Sequence, residues 1–248
     1  MLWFIIAIII FLITIGAIIY GVKASDGIGI TVGVVGAIIG GVLMFFSTFY
    51  ANGVGEAKII VNAFDRHVVS TTTTPMSGFH APWEDALDFD LLSQGLTYAG
   101  QPGKAPEYAG GKVSGAEVTV SVGGIAGGST QANVDMTVTY NIDGGKLPVI
   151  YDDFINQERF TQMVVEKQTL DSIRQIPSSY TAVDFRGGKR GEAAIAIQKS
   201  LNDRSDFQKY GVNVTAVTIQ DVRYSQSVED ALAGLEVAAQ QKQKAQLE

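Results

Sequence analysis

Few side chains in this 248-residue chain are of the kind that perform chemistry, and their spacing limits what they can do. The chain has two histidines, His67 and His80, and no cysteine. Neither histidine has metal-ligand spacing to a second one, so no zinc site is expected. Without thiols there is no disulfide framework and no cysteine nucleophile. The carboxylate pairs Asp88/Asp90 and Asp152/Asp153 have the residue type for general acid–base work, but on a half-exposed strand or loop such pairs are solvated faces. No Gly-x-Ser-x-Gly elbow occurs. A Ser/Lys dyad assembled only in space stays open, and with it a membrane-anchored hydrolase. The densest basic cluster is Arg186-Gly187-Gly188-Lys189-Arg190-Gly191. It lacks the eight-residue phosphate-loop pattern, and no Ser or Thr follows the lysine. It reads as a loop that starts a helix at Glu192, with Lys189 and Arg190 available to acidic lipid headgroups. Phe79 and Trp83 are of the type favoured at a membrane–water boundary. The expectation is therefore no catalytic centre, no cofactor and no metal.

The elements that must position these residues begin with an uneven distribution of apolar sequence. Hydrophobic residues make up 46% of the chain, and much of that lies in the first fifty residues. Leu2 to Tyr20 carries no charge, and neither does Ile28 to Tyr50, which ends in Phe45, Phe46, Phe49 and Tyr50. Each run is long enough to cross a hydrocarbon core as a helix. The first lacks the basic leader and small-residue cleavage site of a signal peptide. The short link Gly21 to Gly27 cannot recross a bilayer of about 30 Å, so the runs form a hairpin with Met1 and the body on one side. Lys58 and Arg66 follow the second run, against Lys23 alone in the link, which places the body on the cytoplasmic side of a cell membrane. Gly29/Gly33 and Gly36/Gly40 have the small-xxx-small spacing that lets helices approach closely. A net charge of −7 argues against nucleic acid as a partner.

Beyond the hairpin, the pattern is α+β. Ala57 to Val61 and Leu87 to Leu91 read as strands, with Pro75 to Trp83 a loop between them. Gln101 to Gly115 reads as a surface loop. Val118 to Val122 and Val134 to Ile142 alternate apolar with polar residues, joined by Gly123 to Ser129, which predicts an antiparallel sheet covered on one face. Leu147 to Phe154, Gln157 to Ile176 and Glu192 to Phe207 read as helices, and Val212 to Val222 as a strand. In that strand Val212 and Val214 have one parity and Val217 and Ile219 the other, so either a bulge intervenes or both faces are covered. From Gln226 the chain is helical, with Val228, Ala231, Leu235, Ala238 and Ala245 on a weak heptad seam. The expected organisation is 1–50 hairpin, 51–143 mostly β, 144–224 α/β, and 225–248 the start of a coiled-coil assembly helix, its natural course continuing further.

These features resemble the SPFH (band 7) family: stomatins, prohibitins, flotillins and the paired regulators of the bacterial FtsH protease. The most specific stretch runs from Leu201-Asn202 through Phe207-Gln208-Lys209-Tyr210-Gly211-Val212 to Val217-Thr218-Ile219-Gln220. Gly78-Phe79-His80-Ala81-Pro82-Trp83 is similar to the family's early "Pro-Gly-apolar-His…Pro" loop, with Ser77 where proline is usual. The resemblance implies a non-enzymatic scaffold in the membrane of a bacterium. Its copies would form a homo-oligomer of many subunits, a ring or cage around a membrane patch, holding a membrane protease or other membrane protein. The alternative that it leaves open is direct regulation of a channel or transporter without a cage.

Overall fold

The computed structural model describes residues 2–24, 27–100, 115–124 and 128–247. The chain divides into two compact units, Met1–Leu91 with Leu147–Asn156 and Leu92–Lys146 with Gln157–Glu248.

In the first unit, α1 (Leu2–Ala24) and α2 (Gly27–Thr48) lie against each other. Helix α1 continues through Gly21, Val22 and Lys23, residues read from sequence as the link, because nothing there stops a helix that a neighbour supports. Helix α2 ends at Thr48, earlier than the apolar run. Phe49 and Tyr50 enter a strand instead. That strand, β1 (Phe49–Asn52), pairs with β4 (Met76–Phe79) as a two-stranded ribbon, Phe49 opposite Phe79 and Tyr50 opposite Gly78. The reading of 75–83 as a loop is corrected here: Pro75 lies outside β4, and Gly78 is accommodated because a Cβ would meet the Tyr50 hydroxyl at 2.9 Å. A three-stranded antiparallel sheet follows in the order β3 (Val68–Thr72), β2 (Glu56–Asn62), β5 (Glu84–Asp90). Ala57, Ile59, Ile60, Val61 and Phe89 are buried in it, together with Leu147, Ile150 and Tyr151 of α3 (Leu147–Phe154). Each such aliphatic or aromatic side chain contributes roughly 1.5–3 kcal/mol on burial.

The second unit is organised around β8 (Ser129–Ile142). Along one edge of β8 run β6 (Gln94–Tyr98), opposite 136–140, and β7 (Val118–Gly123), opposite 129–134. Both point the same way, so they form one strand interrupted by residues 99–117. Gly115 closes the interruption through bonds with Thr97 and Ala99. The whole other edge is taken by β9 (Val212–Tyr224). Its register slips at Thr139/Tyr140 and again at Asp135/Met136, so Thr215 and Gln220 have no partner opposite. Two bulges therefore restore a single buried face, with Val212, Val214, Ile219 and Val222 all buried. The parity conflict in the sequence has this as its answer.

Against the sheet lie α5 (Lys167–Gln175) and α7 (Arg190–Asn202). Helix α4 (Gln157–Phe160) leads into α5 through a π-helical turn at Thr161–Glu166, making one run over 157–175 where the sequence showed a plain helix. The stretch Glu192 to Phe207, read as one helix, is two: α7, and α8 (Ser205–Tyr210) after a break at Asp203 and Arg204. Helix α6 (Ala182–Arg186) is capped by Thr181, whose side chain accepts from the Asp184 amide. Gly211 ends α8 at φ 68°, and a Cβ there would meet Lys146 and Asp143 within 2.8 Å. Both facts require glycine in the Tyr-Gly-apolar turn. The chain closes with α9 (Gln226–Leu247). Asp26, most of the expected loop at 101–115, the centre of the 123–129 connection and Glu248 lie outside the described residues.

Candidate membrane-interface site

The site begins with two helices whose composition suits lipid. Ile5–Ala24 has mean hydropathy 2.9 and Gly27–Thr48 has 2.4, each long and apolar enough to cross a membrane. Glycine sets how closely they pack. A Cβ on Gly33 would fall 2.4 Å from the Ile18 side chain and 3.0 Å from its backbone nitrogen. One on Gly36 would fall 2.2 Å from the Thr14 methyl, and one on Gly40 would touch Phe11 at 3.5 Å. Gly29 is met from the other helix by Gly21, where a Cβ would lie 3.0 Å from the Gly29 carbonyl carbon. Gly21 was missed as a packing residue because it was assigned to the link. The 3–4 spacing of small residues then continues across from α2. Thr14 hides its hydroxyl by donating to the Phe11 carbonyl at 2.8 Å, the usual device for a polar group among apolar ones.

Where α2 ends, aromatic rings gather. Phe45 lies 5.7 Å from Phe46 and 4.9 Å from Phe79, and Phe49 lies 5.5 Å from Phe79. These edge and tilted arrangements are favourable for ring quadrupoles. All four rings are 43–66% exposed. Exposure of this much aromatic surface is costly in water and favourable at a bilayer boundary. The β1–β4 ribbon holds Phe79 in place, and the His80 amide donates to the Thr48 carbonyl at 2.9 Å, fixing β4 to the end of α2. Trp83 is four residues further on, within about 14 Å of Phe79 by chain length. Its ring is 51% exposed, and its carbonyl accepts from the Ala63 amide beside Phe64, which is 75% exposed. Phe64 carried no signal in the sequence beyond its type.

The other expected contacts fall in the second unit. Lys189 pairs with Asp184 at 3.2 Å, and Arg190 reaches the Gln220 carbonyl. Arg186 pairs with Glu229 at the start of α9. The basic cluster thus spends much of its charge within its own unit. On α9, Val228 is half-buried, while Ala231, Leu235, Ala238 and Ala245 are exposed. Leu232, outside the expected seam, is the buried residue. Val228, Leu232, Leu235 and Ala239 also repeat at 3–4 spacing, and that stripe was the available signal. The Tyr224 hydroxyl donates to the Ala182 carbonyl, and burial pushes its pKa up to about 12.

Two further ionisable groups are held by near neighbours. Arg223 is held by Asp135, Glu117 and Asp221, and the first two raise the guanidinium pKa further. The Asp65 carboxyl is lowered chiefly by its hydrogen bond with His67, whose Nδ1 lies 2.7 Å away. Among the described residues no cluster of three His, Asp or Glu side chains has metal-binding geometry.

No curated protein matches the chain as a relative. A family model described as "SPFH domain / Band 7 family" matches residues 56–248. That span holds both sheets, α3 to α9 and the Tyr-Gly-apolar turn, and it begins just after the apolar hairpin. The protein is a membrane-associated member of the SPFH domain / Band 7 family.

Proposed function

We propose that the protein is a non-enzymatic membrane scaffold, anchored by the α1–α2 hairpin, whose copies assemble side by side through α9 into a ring or cage. The enclosed membrane patch holds or excludes partner membrane proteins, proteases among them. The body stands on the cytoplasmic side, which the Lys58 and Arg66 positions support. The observation that carries the assembly reading is α9 itself. After Leu232, every side chain from 233 to 246 is exposed, Leu235 and Val237 among them at 46% and 54%. An isolated helix of this length is marginal in water, so its natural condition is packed against another. Alanine at 231, 233, 238, 239 and 245 permits close approach by a neighbouring helix.

The test is to extract the protein in mild detergent and image single particles by electron microscopy. Closed rings or domes are expected, and removal of residues 226–248 reduces them to small species. Monomers or dimers with α9 intact would overturn the cage and favour a small regulator of one channel or transporter.

A further inference from the structure

Where α9 leaves the body, the second unit carries a half-open groove of about 760 Å³. One wall is the end of α6, with Val183 and Gly187. The other is α9, with Leu232, Leu235, Glu236 and Ala239. The volume is that of a small-molecule site, but such a site orients its ligand with several placed polar groups. Here Arg186 and Glu229 are spent on each other, which leaves Glu236 among the lining side chains. Val183 and Leu235 are 50% and 46% exposed, apolar surface that is better covered than wet. The groove therefore calls for an apolar occupant that runs along the helix and brings a positive charge.

Helix α9 itself has such a surface. With 3.6 residues per turn, Leu232, Leu235, Glu236 and Ala239 fall on one face, while Ala231, Gly234, Ala238 and Ala245 fall on another about 130° away. The second face is exposed at all four positions, and none of them carries more than a methyl group. A helix surface this slender lets a neighbour approach closely, since side-chain size sets the distance between helix axes. Lys242 borders this face. Neither Lys242 nor Glu236 has an ion pair among the described residues. Their charges are opposite, and the lysine stem leans toward the helix N-terminus, which offsets part of the rise of about 9 Å between the two levels. One helix thus bears a groove wall and a groove filler on different faces. A contact that joins two different faces repeats from copy to copy, whereas a face paired with itself stops at two.

We propose that the α6–α9 groove of each copy receives the Ala231, Gly234 and Ala238 face of the next copy's α9, with that copy's Lys242 set against Glu236. This rests on the assembly reading, and it adds the surface that α9 meets and the head-to-tail direction of the contact.

The full chain carrying Val183→Cys and Ala238→Cys, in mild detergent, is treated with a short bismaleimide and run on a denaturing gel. The parent chain has no cysteine, so the two introduced thiols are the targets. The pair should give a ladder of covalent multimers, and either cysteine alone should give none. Charge reversal supplies a second readout. In the paired background E236K or K242E should cut the multimer fraction about fivefold, the upper worth of an exposed ion pair, and the two together should restore it. A folded pair that forms no ladder overturns the proposal, and so does a ladder that the charge reversals leave unchanged. Ala238→Cys linking to itself puts the small faces of two α9 helices together and overturns it equally. Where the cysteine pair does not fold, the charge reversals scored by particle size in the cysteine-free chain decide the matter. Electron microscopy of the same samples separates the two readings. Large particles without a ladder sink the groove alone, whereas small particles from the parent chain remove the assembly reading as well.

Discussion

The hairpin and the terminal helix are both long, and both leave most of their surface uncovered, yet for opposite reasons. In the hairpin the contact between α1 and α2 is set by glycine, and the uncovered faces are Ile, Val, Leu and Phe. In α9 the body takes Leu232 and part of Val228, and the uncovered face is mostly Ala, Gln and Lys with Leu235 and Val237. Burial alone does not tell what covers a helix; the chemistry of the exposed face does. An all-apolar surface is at rest in hydrocarbon, whereas a mixed surface rich in small residues is at rest against another helix.

The contrast breaks most sharply at the glycines. Phe11 Cβ and the Cβ position of Gly40 are 3.5 Å apart, inside disulfide range. The F11C/G40C pair in this cysteine-free chain should therefore cross-link nearly completely on oxidation. Adding Gly36→Leu, whose side chain must occupy the place of the Thr14 methyl, should abolish most of that cross-link, as read by gel mobility. On α9 the sharpening test is a pair of neighbouring leucines. Leu232→Ala should cost about 2–3 kcal/mol as a buried truncation, and Leu235→Ala less than about 0.5 kcal/mol as a surface change. Thermal melting of the detergent-extracted chain, diluted until the copies separate, compares the two, and equal losses would mean that α9 does not divide between body and arm as described.

A smaller effect is expected at the β9 bulge. Asn202 accepts from the Val214 amide at 2.8 Å and donates to the Val214 carbonyl at 3.1 Å, while Gln198 donates to the Val214 and Thr215 carbonyls. These side chains bond backbone groups beside the bulge of β9, a strand that pairs only with β8. Asn202→Ala should cost about 1–2 kcal/mol, seen as a fall in melting temperature of about 5 °C. The smallest effect lies at Asp65. Its folded carboxyl is held below the unfolded value, so the Asp65–His67 pairing contributes at neutral pH and is lost as pH falls through the acid range. His67→Ala should move the Asp65 carboxyl part of the way back toward its ordinary titration, since the residue-67 amide still donates to it, measurable by carboxyl carbon NMR.

Much of the fold is written in local pattern. Strand alternation at 118–122 and 134–142 is visible because one face is buried and the other wet, and Gly211 is visible because only glycine fits a left-handed turn pressed against Lys146. What could not be read depended on distant partners. Strand β4 exists because Phe79 has Phe49 opposite it, not because 75–83 looks extended. Gly21 joins the helix contact because α2 lies beside it. Leu232 is chosen over Ala231 by the position of the body, which a heptad count does not contain. Phe79 stood out by residue type, but its companions Phe45 and Phe49 were brought to it by the ribbon. The stacking of the Tyr50 and His80 rings had no signature at all in the spacing.

The strand that β6 and β7 make together carries one more consequence. The chain leaves the edge of β8 after Tyr98 and resumes it at Val118, pairing with Met136 before the gap and Val134 after it. Because departure and return are pinned two residues apart on the same edge, the number of residues between them does not enter the register. Evolution is free to lengthen, shorten or replace that excursion without re-threading the sheet. An engineer has the same freedom to graft a fluorophore or an affinity epitope between 101 and 114 and report on the protein without shifting the register of its sheet.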